Sequence, residues 1–347
     1  MNEKSLEVLR QYDIQVRHVC RGRGGMILNT NAGTLLFLEC NHPDKYYERE
    51  NVLTAAIVEC GFENVDTYIT NKNGGIITED DDGRRYILKN WFDARECNVK
   101  DLGDLCEAVS TLAHLHKALK RVSEKFVKES EQQKSCDGEA DNGSKADDKC
   151  YKEMQLIDTY TRHVKELKMA SNYLKNKKKR SEFEQLAYKN IGAFYEEAVN
   201  AAATFNCDII KKRLELAVEE CELSHGSYSY HNVLFGNYGA AVTNFEKCCN
   251  ECQITDLYRF MRKILEKYDW DIELAYKLMD VYDKVNTISD EDLELITALF
   301  SFPEKFWKLI NYYYNMNKAW IPPKSLEKLK MVIEQNQKRK AFLEMMK

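Results

Sequence analysis

No stretch of this 347-residue chain approaches the roughly 20 consecutive apolar residues that crossing a bilayer requires, so no membrane span is expected. The first residues, Met1-Asn2-Glu3-Lys4-Ser5-Leu6, lack the apolar core of a secretory signal, and synthesis in a reducing cytoplasm is expected. Nor is there an excess of positive charge. Lys and Arg total 51 against 56 Asp and Glu, a net charge of −5, which removes the electrostatic basis for nucleic acid as a partner. Twelve cysteines are present, but Cys249-Asn250-Glu251-Cys252 is the lone CxxC, without the second pair or neighbouring histidines of a structural zinc site. Free thiols and no bound metal are therefore expected. Internal repeats are absent as well. What remains, 44% hydrophobic and 31% charged residues over this length, is the composition of a globular protein with enough chain for two or three cores.

Up to about residue 98 the pattern is strand-rich. Val16–Cys20, Met26–Leu28 and Thr34–Cys40 read as strands, with Asn31-Ala32-Gly33 as a hairpin turn. A short helix over Ser5–Tyr12 precedes them, and helical spacing over Tyr46–Cys60 follows. Val65–Thr70, Gly75–Thr78 and Arg85–Lys89 complete the strand set, separated by Asn/Asp/Gly-rich turns. From residue 99 to 347 the pattern is helical, beginning with a 3.6-period stripe through Leu102, Leu105, Ala108, Val109, Leu112 and Leu115. A polar Gly/Ser/Asp-rich segment at about 128–150 lacks large apolar residues, and a flexible insertion is expected there. The basic run Lys175–Arg180 reads as a solvated helix end. Ser289-Asp290-Glu291-Asp292 reads as a helix start, and Phe306, Trp307, Tyr312, Tyr313, Tyr314, Trp320 and Phe342 read mainly as core.

The motif richest in chemistry is His225-Gly226-Ser227-Tyr228-Ser229-Tyr230-His231-Asn232, followed by Val242-Thr243-Asn244-Phe245-Glu246. It resembles the H-G-D-x-x-x-x-N loop and the D-[FW]-E segment of aminoglycoside and choline kinase-like phosphotransferases. That resemblance implies an α+β bilobal protein-kinase-like fold, with a β-rich N-lobe at 1–98 and a mainly helical C-lobe at 99–347. Phosphoryl transfer needs a carboxylate to accept the substrate proton and another to hold the metal against the phosphates. Ser227 stands at the first position and Asn244 at the second, while Asn232 is kept. On the third strand the position of the phosphate-binding lysine is matched by Leu38, and no lysine occurs between Gly33 and Pro43. Glu48 or Glu50 would then be an unpaired surface carboxylate, and Lys89, on a later strand, is assigned a surface role. Gly22-Arg23-Gly24-Gly25 reads as a β-turn, with Arg23 and Gly24, together with Asn232, as weak candidates for contacting a nucleotide. His225 is expected to anchor its loop, and His231 to have no chemistry of its own. His114 and His116, two apart on a helix, do not face one metal.

Further segments extend the resemblance: Arg85-Tyr86-Ile87-Leu88-Lys89-Asn90-Trp91-Phe92, Leu112-Ala113-His114-Leu115-His116, Thr255-Asp256-Leu257, Phe302-Pro303-Glu304-Lys305-Phe306-Trp307-Lys308 and Lys318-Ala319-Trp320-Ile321-Pro322. In that order the chain resembles the CotS family of spore coat proteins of endospore-forming bacteria, over nearly its whole length. The resemblance implies a catalytically degenerate kinase fold, without cofactor or metal, made in the mother-cell cytoplasm and assembled with other coat proteins. Two alternatives stay open. One is a nucleotide- or metabolite-binding pseudokinase. The other is a small-molecule kinase using displaced carboxylates such as Asp256, Glu246 or Asp283.

Overall fold

The computed structural model describes residues 3–136, 155–315 and 323–346. By its internal contacts the chain divides into two compact units, Met1–Tyr151 with Cys221–Cys249, and Lys152–Glu220 with Asn250–Lys347. The division expected at residue 98 therefore falls inside the first unit.

In the first unit, strands β1 (Val16–Gly22), β2 (Gly25–Thr30), β3 (Gly33–Glu39), β4 (Ile77–Glu79) and β5 (Arg85–Asn90) form an antiparallel sheet in the order β1-β2-β3-β5-β4. Strand β3 is apolar at nearly every position because both faces of the sheet are covered. Leu35 and Phe37 point to one face, where a 3-10 helix at Glu3–Gln11 and the Tyr12 that follows it pack Val8, Leu9 and the tyrosine ring against Met26, Leu28, Tyr86 and Leu88. The Phe37 and Tyr86 rings stack there with centroids 5.0 Å apart. On the opposite face Leu38 and Ile87 meet Tyr47 of helix α1 (Asp44–Glu59) and Tyr68. The segment expected as a strand at 65–70 makes only isolated bridges, Val65 to Val242 and Tyr68 to Lys89.

A second, three-stranded sheet joins β6 (Ala94–Glu96) to strands from far along the chain. Helix α2 runs over Leu102–Cys136 and buries the predicted stripe from Leu105 to Leu115, while Leu102, at its first turn, is exposed; burial extends on to Val122. It continues past 128, so the insertion expected from that point is helical as far as Cys136; the rest of it lies outside the described residues.

In the second unit, helices α3 (Leu156–Asn176), α4 (Glu182–Thr204) and α5 (Asp208–Glu219) come first. The chain then returns to the first unit for short strands β7 (Leu223–Ser224), β8 (Val233–Gly236) and β9 (Gly239–Val242), of which β8 and β9 complete the sheet of β6, and β10 (Cys249–Asn250) lies at the boundary. Helices α6 (Ile254–Leu265), α7 (Ile272–Asp283), α8 (Asp290–Ser301), α9 (Glu304–Asn315) and α10 (Pro323–Met345) close the chain. Ser289 caps α8, its hydroxyl accepting the Asp292 amide at 3.1 Å, and Arg180 donates to the terminal carbonyl of Leu174 after α3. Phe306 stacks on Phe194 at 4.0 Å and Phe342 is buried, but Tyr312 is exposed, so the late aromatic cluster is only partly core. Trp320 lies outside the described residues.

Candidate functional site: a glycine hairpin, a buried lysine and the 225–246 loop

All the residues of the site belong to the first unit. The turn between β1 and β2 places Arg23 and Gly24 at φ of 54° and 76°, a two-residue turn whose left-handed backbone suits the twist of a hairpin. The reading of Gly22–Gly25 as a turn thus fits, and the same residues line a cleft.

On β5 the strand alternation sends Tyr86 and Leu88 into the apolar core and Ile87 and Lys89 to the other face. Lys89 pairs in register with Leu36 of β3, and Leu38 pairs with Ile87. Lys89 is therefore not a surface residue; its side chain is 4% exposed. Its Nζ donates to Glu50 Oε1 at 2.8 Å and to Asp66 Oδ2 at 3.0 Å, and lies 4.6 Å from the centre of the Tyr68 ring. Tyr68 in turn donates to Glu50 Oε2 at 2.6 Å. The expectation of an unpaired surface glutamate is overturned for Glu50, which is buried on α1 and paired with a lysine one strand away from the anticipated position. Burial pushes the Asp66 carboxyl up to about 6, against the pull of Lys89. Burial also works against the Lys89 charge, but Asp66 and Glu50 outweigh it and hold the ammonium above its ordinary value.

The 225–232 loop is built around a buried histidine. His225 Nε2 lies 3.2 Å from the Thr243 carbonyl, and the Ser227 amide donates to its Nδ1 at 3.2 Å, which sets the Nε2–H tautomer. Gly226, at φ 73°, runs so close to the next segment that a Cβ there would lie 1.9 Å from the Lys247 carbonyl oxygen. Tyr228 reaches into the core and donates to the Ala108 carbonyl at 2.6 Å. Asn232 Nδ2 donates to the Ser227 carbonyl at 3.1 Å, and the Asn232 carbonyl accepts the Thr243 amide at 3.0 Å. Asn244 adopts φ 70°, and its amide donates to both Asp66 oxygens at 3.2 and 3.3 Å. Ser227 Oγ donates to the Asn244 carbonyl at 3.3 Å.

Between these groups lies a cleft of about 840 Å³, lined among others by Arg23, Gly24, Leu36, Leu38, Asp66, Lys89, Asn232, Asn244 and Glu246. The structure thus brings together Leu38, Asn232, Asn244, Arg23 and Gly24, with Ser227 joined to them through Asn244. Asp256 and Asp283, considered as displaced metal ligands, are engaged elsewhere: Asp256 lies 3.6 Å from Arg259, and Asp283 accepts the Ile288 amide at 2.8 Å. Glu246 is exposed, and its carbonyl accepts the Tyr46 hydroxyl at 2.7 Å. Sequence reasoning missed Asp66 and misplaced Lys89. The signal available was the alternation of β5, which puts Lys89 in phase with apolar Ile87 rather than with solvent.

The donor set does not fit a divalent cation. Mg²⁺ needs several oxygens in near-octahedral array. Asp66 is the buried carboxylate that contacts Asn244, and its oxygens already accept from Lys89 and the Asn244 backbone amide; Glu246 also lines the cleft but is exposed. Asn232, whose Nδ2 donates to the Ser227 carbonyl, offers one neutral amide oxygen, a weak ligand for a hard cation. Among the described residues, no three His, Cys, Asp or Glu side chains are grouped to hold a metal.

No protein-family model matches the chain, and no curated protein does. Solved structures do. An aminoglycoside phosphotransferase from Alicyclobacillus acidocaldarius superposes with a TM-score of 0.80 at 17% identity, over 98% of this chain and 94% of that one. A spectinomycin phosphotransferase bound to AMP gives 0.64 at 9% identity, over 96% and 94%. An amicoumacin kinase gives 0.58 at 11%, over 99% and 94%. The chain therefore has the α+β, bilobal kinase-like fold of the aminoglycoside phosphotransferases, with its sheet in the N-terminal part and helices dominating the C-terminal part. At these identities the likeness is one of fold.

Proposed function

We propose that this chain is a kinase-fold protein that has given up phosphoryl transfer and serves as a structural component of the bacterial spore coat, assembled with other coat proteins. The observation that carries the loss of transfer is the state of the 225–246 loop. A serine hydroxyl donating to a backbone carbonyl stands where a substrate proton would be accepted, and Asn244, a neutral side chain, stands where a carboxylate would hold the metal. Lys89 does not add to this. It reaches the cleft from β5 and keeps the lysine–glutamate pair with Glu50 that kinases use, so the loss of transfer rests on Ser227 and Asn244 and not on a missing lysine. The placement in a spore coat rests on the order of motifs in which the chain resembles the CotS family. Incubation with radiolabelled ATP, Mg²⁺ and hydroxyl-bearing acceptors is expected to yield no product; metal-dependent transfer would overturn the reading. A fluorescent fusion in a sporulating host is expected at the spore surface, and a signal that stays diffuse in the mother cell would refute the structural role.

One observation favours a second reading, a ligand-binding pseudokinase. The cleft beside Asn232 and Asn244 is open, at about 840 Å³, rather than filled by side chains. That volume falls in the usual range of small-molecule sites. On this reading ATP would raise the melting temperature equally with Mg²⁺ and with EDTA.

A further inference from the structure

Arg23, at the tip of the glycine hairpin, reaches from the five-stranded sheet to the three-stranded one. Its Nη1 donates to the His231 carbonyl at 2.8 Å, and its Nη2 meets Glu96 Oε1 at 2.8 Å. The other Glu96 oxygen lies 2.6 Å from His231 Nδ1, which closes a three-membered ring of contacts. The guanidinium carbon also sits 5.7 Å from the centre of the Trp91 ring. Arg23, Trp91 and Asn232, the neighbour of His231, all line the cleft. An arginine held through two nitrogens and an aromatic face is fixed in direction as well as charge. The hairpin that carries it has glycine at 22, 24 and 25 and can change shape readily.

A guanidinium fork fits carboxylate and phosphate alike. Glu96 therefore occupies on Arg23 the place that an anionic group of an entering ligand would take. We propose that Arg23, Glu96 and His231 form an autoinhibitory latch, which pins the glycine hairpin across the rim of the cleft and is released when a phosphate-bearing ligand replaces the Glu96 carboxylate on Arg23. Release breaks one ion pair and forms another, with no covalent step. The ligand half of this proposal rests on the second reading above; the restraint on the hairpin does not.

Amide hydrogen exchange of residues 21–26 tests both halves, with tripolyphosphate as the probe. Glu96→Gln keeps the side-chain size and removes the charge. It is expected to speed exchange of these amides about fivefold without probe, the scale of a partly exposed charged contact. It is also expected to lower the tripolyphosphate concentration that half-protects them by a similar factor. Arg23→Gln should speed exchange equally and abolish the protection. Unchanged exchange in Glu96→Gln would overturn the latch. Normal protection in Arg23→Gln would overturn the role of Arg23 as the anion contact. Faster exchange with no protection in the wild type or in Glu96→Gln would overturn the ligand half alone, together with that reading of the cleft. Both substitutions are at partly exposed side chains, and unchanged melting temperatures will verify that the variants are folded.

Discussion

Replacing Lys89 with methionine tests the structural core of the site. The ammonium lies 2.8 Å from Glu50 and 3.0 Å from Asp66, and all three side chains are 4% exposed. At an effective dielectric of about 20, each contact is worth between about 5 and 6 kcal/mol before desolvation is subtracted. Methionine keeps the volume but strands two neighbouring carboxylates without a cation. Breaking a buried pair in this way removes about 3–5 kcal/mol. The loss should depend on pH. Asp66 already has a folded pKa of about 6, raised by burial in spite of Lys89. Without the lysine it rises further. A carboxyl raised in the fold contributes stability below its unfolded value of about 3.9 and loses it as pH climbs through the folded value. The deficit of Lys89→Met, measured by urea denaturation, is therefore expected to be larger at pH 8 than at pH 5. Adding Asp66→Asn should recover a part of it at pH 8 and little at pH 5. A deficit under about 1 kcal/mol at pH 8, or one independent of pH, would show that the three groups are not coupled in solution as they are in the structure.

Four further outcomes follow from single sites. Gly226→Ala should destabilise by more than about 2 kcal/mol in chemical denaturation, since the left-handed backbone and a Cβ 1.9 Å from the Lys247 oxygen act together, whereas Asn244→Gly at φ 70° should be close to neutral. His163 stacks on Trp307 with centroids 3.4 Å apart, and burial lowers its pKa to about 4. A histidine depressed in the fold contributes stability above its unfolded value of about 6.5 and loses it on acidification, so His163→Phe should spare the protein about 2 kcal/mol of the loss that the wild type shows between pH 8 and pH 5. Ser181→Ala removes the reciprocal cap with Glu184 at the start of α4 and should cost about 1 kcal/mol, read as a lower melting temperature.

Much of the fold was legible because local chemistry and tertiary context agree. The Arg23-Gly24 turn, the strand meander from Val16 to Glu39, the stripe of α2 and the Ser289 cap all follow from residue type and spacing. The misreadings have one physical source. The period-2 pattern of Arg85–Asn90 says that Lys89 shares a face with Ile87, but not that this face is covered, nor that Glu50 and Asp66 arrive from elsewhere in the chain to meet it. Asp66 sits in a segment that bonds to its neighbours by isolated bridges, so no periodicity marks it.

By itself, then, the chain determined its class of fold, the order of its elements and the replacement of the two loop carboxylates by Ser227 and Asn244. Those are matters of residue identity and of spacing along the backbone. Folding alone decided where the charges went. A lysine on β5, a glutamate on α1 and an aspartate from the following loop, separated by 39 and 23 residues from Lys89, become one buried cluster because burial makes each charge find a partner wherever the chain brings one. Arg23, Glu96 and His231, all partly exposed, likewise meet only once the chain is folded, and so does the lining of the cleft beside them.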